Sequence, residues 1–165
     1  MSQSKLHNHS AYLMHLSLLG SLLMMLVPWS AIISLFQPHW IALLIAYWSL
    51  NATSNRVIYV AFAYGLLTDI LMGSLLGKHG MSLVALSFLV TKSAKQLRMK
   101  SIWQMLGMVL VLLFNDILIR AVIDWVSFGY KPVVTDLFPL LTAALVWPWI
   151  KYLLDRFQIS LRNST

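Results

Sequence analysis

The chain has 165 residues, of which 59% are hydrophobic and 10% charged, and its mean hydropathy is +0.77. Globular domains carry roughly 45–50% apolar and about 25% charged residues. Too little polar surface remains to clothe a water-facing globule, which excludes a soluble enzyme, a disordered chain and a nucleic-acid binder. The formal net charge of +7 therefore reads as Lys and Arg concentrated in cytoplasmic loops, not as a nucleic-acid footprint. Cysteine is absent, so disulfides, thiolate nucleophiles and thiolate metal sites are excluded together.

A helix that crosses the hydrocarbon needs ~20 mainly apolar residues. The first candidate span, 12–27, is expected to be retained, because no small-residue cleavage pattern precedes Pro28 and Trp29. The second, 40–50, follows Pro38 and is short. The third covers 57–76, and the fourth, 81–91, is short again. The fifth runs over 102–128 and the sixth over 133–154. Solidly apolar runs exclude the alternating pattern of a membrane β-barrel. The fold class expected is an all-α integral membrane bundle of about six transmembrane helices, in one domain without room for a soluble one.

Six crossings put nine Lys and Arg on one side, including Lys92, Lys95, Arg98 and Lys100 of the basic loop 92–100, against Lys78 and Lys131 on the other. Both termini are then cytoplasmic. Should the two short segments fail to cross, Arg56 and Lys78 exchange sides and the same count results, so charge alone leaves four and six crossings open. The seven tryptophans fall near expected span ends, as interfacial aromatics do. Beyond Lys151, the residues Leu153, Leu154, Phe157 and Leu161 share one helical face, which suggests an interfacial helix end over 151–162.

Ionisable side chains within spans are costly and normally face protein or water. Asp116, Arg120 and Asp124 recur every four residues on one face of the fifth span, where Arg120 can pair with either carboxylate. This seam is either an ion pathway or charged-group site, or a neutralised surface that docks a neighbouring helix. Gly65, Asp69, Gly73 and Gly77 recur at the same spacing on the third span, a smooth stripe for packing within the bundle or for docking a partner helix. His7, His9, His15, His39 and His79 have no metal-ligand spacing, and there is no Glu to serve as base in a zinc protease. Ser82 and Ser87 near His79 lack the pattern of an intramembrane protease. No enzyme activity, cofactor or metal is expected.

Several segments carry a family likeness. Gln37-Pro38-His39-Trp40 with Tyr47-Trp48, the stretch from Gly65 through Asp69 to Gly73 with Gly77, and Val146-Trp147-Pro148-Trp149-Ile150 resemble the bacterial rod shape-determining MreD family, in its proteobacterial form. The likeness extends from about residue 15 to 160. It implies a multi-pass inner-membrane protein of the cell-elongation machinery, without catalytic activity, needed for rod shape and lateral peptidoglycan synthesis. It also implies MreC as partner, in a complex with the MreB filament, RodA and a class B penicillin-binding transpeptidase. The family's fold is similar to the six-helix substrate-binding subunits of energy-coupling-factor vitamin transporters. The expected mechanism is to bind the membrane helix of MreC and hold the wall synthases together. The rival reading, from a different class, is a small-solute-binding subunit of a transporter that uses Asp69, Asp116 or Arg120 to fix its ligand.

Overall fold

A computed structural model describes residues 3–30, 33–34, 36–51, 56–99, 101–129 and 137–163 of the chain. Lys100, Lys131 and the start of the expected sixth span at 133–136 lie outside them. The described residues form six helices and no strand: α1 (Gln3–Leu26), α2 (Trp40–Asn51), α3 (Arg56–Met72), α4 (Lys78–Arg98), α5 (Ile102–Phe128) and α6 (Phe138–Asn163).

The second helix organises the others. Every residue from Ile41 to Leu50 is buried, as befits a helix apolar all round. At 12 residues it is about 18 Å long, little more than half of a ~30 Å hydrocarbon layer. The segment 40–50 is thus a core helix wrapped by its neighbours. Its two ends are pinned differently. At the start, the His39 ring reaches Asp116 of α5. At the far end, the Arg98 guanidinium donates to the carbonyl of Leu50. Between them, Ser49 meets Ser87 of α4 at 2.8 Å, and the Trp48 indole donates to Ser17 of α1 at 3.0 Å.

These contacts fix an up-and-down arrangement. Arg98 and the Tyr47–Asp155–Lys151 cluster gather toward the end of α2 that holds Leu50, where Tyr47 and Lys151 each reach Asp155 at 2.6 Å. Met25, Met72, Lys78, Asp124 and Pro139 gather at the other end, around one cavity. Each helix thus runs from one end to the other and its successor returns. The fourth span, expected at 81–91, is a 21-residue helix, about 31 Å long, because its polar flanks continue the helix in both directions.

The exterior is apolar and the interior partly polar. Leu16, Tyr59, Ile70, Val111, Val126 and Leu145 are exposed, whereas Asp69, Asp116, Ser49, Thr68 and Ser82 are buried. Such an inversion suits a lipid solvent. One helix, Trp103–Phe128, is long and apolar enough to cross a membrane by itself; the apolar helices Ala11–Leu26 and Trp40–Asn51 are shorter. The tryptophans keep to helix ends except Trp147 and Trp149, which lie inside α6. Trp29, Trp103, Trp125 and Trp149 are exposed, but Trp48 and Trp147 are buried and Trp40 is partly so. Next to Trp147, Pro148 removes one helical N–H donor from within α6, yet the helix continues to Asn163 with Leu153 and Phe157 exposed.

Candidate functional site

The glycine–aspartate stripe is broken by the way its helix ends. Gly73 has φ +61°, its N–H reaches the carbonyl of Ile70, and Ser74 N–H reaches that of Asp69 at 3.0 Å. This pair of bonds is the Schellman stop, which requires a left-handed residue and so favours glycine. Gly77, at φ +96°, belongs to the following turn. Gly65, Asp69, Gly73 and Gly77 therefore do not lie on one helical face. The two that remain on α3 face inward, against the start of α4. A Cβ on Gly65 would stand 2.5 Å from Gly80 Cα, so the backbones meet where neither residue has a side chain.

Asp69 uses that close approach. Its carboxylate accepts N–H bonds from Gly77 at 2.8 Å, His79 at 3.0 Å and Gly80 at 3.4 Å, plus the Ser74 hydroxyl at 2.7 Å. The side chain of α3 thus caps the first turn of α4, whose leading N–H groups have no partner within their own helix. A carboxylate there also complements the positive end of the helix dipole.

From Asp69 a chain of titratable groups crosses the bundle. His79 Nδ1 lies 2.7 Å from Asp69, and the rings of His79 and His39 are 5.4 Å apart. His39 Nδ1 lies 3.2 Å from Asp116, whose Oδ2 also accepts from Arg120 Nη2 at 2.9 Å. Arg120 does not join Asp124. That carboxylate takes the Lys78 ammonium at 2.6 Å, so the expected seam separates into two ion pairs. The reason is depth: Asp116 is buried, whereas Asp124, farther along α5, and Lys78 at the start of α4 are part-exposed.

A cavity of about 470 Å³ fills the space above this chain. It exists because α2 is short. Its first turn stops level with Asp116, about 12 Å along α5 from Asp124 by helical rise. His39, Lys78, Arg120 and Asp124 line it together with Gln37 and the apolar Met25, Met72 and Ile117. His39, His79 and Lys78 carry no spacing signal in the sequence, since folding joins them from separate segments. Pro38 and Trp40 flank His39 at the start of α2; Trp147 and Trp149 lie on opposite sides of α6. Ser82 donates to the His79 carbonyl and Ser87 pairs with Ser49, so both hydroxyls serve packing. Among the described residues, no group of three His, Cys, Asp or Glu is placed to hold a metal ion.

Against this geometry stands a match to known sequences. The family model for rod shape-determining protein MreD matches residues 7–157. The chain belongs to the MreD family. It is 29% identical over 136 residues to the rod shape-determining protein MreD of Haemophilus influenzae, a stretch covering 81% of this chain and 82% of that protein. No solved structure matches the chain. MreD membership assigns a role in rod shape determination.

The Asp116–Arg120 pair gives a direct expectation. Arg120→Ala leaves the buried Asp116 without its cation, and a buried charge that loses its partner typically costs about 3–5 kcal/mol. The variant should accumulate poorly in membranes. Asp116→Asn with Arg120→Gln removes both charges and should restore most of the protein, as measured by immunoblot of membrane fractions. A double variant as depleted as the single one would contradict the pairing.

Proposed function

We propose that this chain is a non-enzymatic, multi-pass scaffold of the bacterial inner membrane that binds MreC and organises the wall synthases of lateral peptidoglycan synthesis. The observation that carries the reading is the family match over nearly the whole chain. Two features support it. Asp69, His79 and Asp116, the buried titratable groups that would serve catalysis, are engaged, Asp69 with His79 and Asp116 with the part-exposed Arg120. The surface left for action consists of apolar helix faces and short basic ends.

The six helices cross in alternation, with both termini cytoplasmic. Arg56, Lys92, Lys95, Arg98, Lys151 and Arg156 then lie on the cytoplasmic side, and Lys78 with the cavity on the periplasmic side. The native absence of cysteine makes this measurable. Single cysteines at Lys95 and Lys78 should be labelled by an impermeant thiol reagent from opposite faces, Lys95 from the cytoplasm. Labelling of both from one face ends the six-crossing reading.

Affinity purification of the tagged protein from cells should recover MreC, and depletion of the protein should round the cells. The cavity gives one specific reason to keep the transporter-subunit reading in view. That reading predicts recovery of an ATPase module in place of MreC, and rod shape retained on depletion.

A further inference from the structure

We propose that the cavity at the His39 end of the bundle is a binding site for a phosphate group, carried by a lipid headgroup or free in solution. Its volume of about 470 Å³ lies within the ~300–1,000 Å³ range of small-molecule sites. What selects the ligand class is the two cations on its wall, Arg120 and Lys78, whose donors outnumber the bonds they make. Arg120 has five N–H donors and makes its bond to Asp116 through Nη2. Lys78 has three donors and makes one bond, to Asp124.

Phosphate oxygens are acceptors and match this set. A guanidinium fork and an ammonium are the usual protein donors to phosphate. The two carboxylates already neutralise the two cations, so an apolar or cationic guest gains nothing from the unmatched donors. Met25, Met72, Ile117 and Pro139 supply apolar wall beside the polar Ser34 and Gln37, and exposed Leu26, Leu71, Leu75 and Leu76 lie on the neighbouring segments. A headgroup seated on Arg120 and Lys78 can therefore leave its chains along the exterior.

The test uses the full chain purified in a neutral detergent. Thermal unfolding is followed with dihexanoyl phosphatidic acid, with inorganic phosphate and with dioctanoylglycerol, which lacks phosphate. Phosphatidic acid should raise the midpoint by several degrees at saturation, since a ligand that binds only the folded state stabilises it. An equal shift from inorganic phosphate identifies a free phosphate as sufficient; a shift from the lipid alone identifies the headgroup as the source. Lys78→Gln, at a part-exposed pair, and the charge-neutral Asp116→Asn with Arg120→Gln should each weaken binding at least tenfold. Should the double variant fail to accumulate, Lys78→Gln decides. No shift from either phosphate probe, an equal shift from dioctanoylglycerol, or unchanged affinity in Lys78→Gln overturns the proposal.

Discussion

Asp69→Ala is expected to abolish accumulation of the protein. The carboxylate receives N–H bonds from Gly77, His79 and Gly80 and hydrogen bonds from the side chains of Ser74 and His79. Alanine leaves these donors facing a dry helix junction. Each unsatisfied buried donor costs about 1–3 kcal/mol. Even two or three of them amount to much of the ~5–15 kcal/mol by which native proteins exceed their unfolded states. Water cannot readily step in, because Asp69 is buried within the bundle. Asp69→Asn keeps one acceptor oxygen and should fall between alanine and the native residue. Protein in membrane fractions and the unfolding midpoint in detergent measure the series. Native accumulation of Asp69→Ala would mean that the start of α4 finds another cap.

Gly65→Ala should be nearly as damaging, for a steric reason. The new Cβ would stand 2.5 Å from Gly80 Cα, 2.7 Å from Gly80 N and 2.9 Å from His79 C. All three are backbone atoms, so the conflict is relieved only by moving α4 away from α3. Overpacking of a core typically costs about 1–3 kcal/mol. Here the displacement also lengthens the bonds from Asp69 to the same turn of α4, so the upper part of that range or more is expected. Gly80→Ala is the control. Its Cβ meets Leu66 Cδ2 at 3.4 Å, the end of a flexible side chain, and a cost well below that of Gly65→Ala should follow. Equal loss from the two variants would show that the contact is not the asymmetric one described.

The two substitutions separate causes that the sequence merges. Read as a string, Gly65, Asp69, Gly73 and Gly77 have one spacing and suggest one surface. In the fold they have three tasks. Gly65 admits a backbone, Asp69 caps a helix, and Gly73 and Gly77 turn the chain at positive φ. Spacing cannot distinguish these, because a four-residue repeat stays on one face only while the helix continues, and α3 stops at Met72. The Asp116–Arg120–Asp124 repeat has the same ambiguity. Its helix does continue, yet Lys78 arrives from another helix and takes Asp124.

Composition and apolar run length were enough to anticipate the helical class and the six helices of the described residues, since both follow from solvent and chain chemistry acting locally. The resemblance carried by Pro38, Trp40, Trp147, Pro148 and Trp149 was legible for the same reason, being a matter of residues in order. Three features were decided only by the tertiary structure. The segment 40–50 became a buried axis because its neighbours enclose it on every side. His39 and His79 came within 5.4 Å because α2 and α4 begin side by side. The cavity opened because a 12-residue helix ends short of a 27-residue one, and no property of either segment alone records that difference in depth.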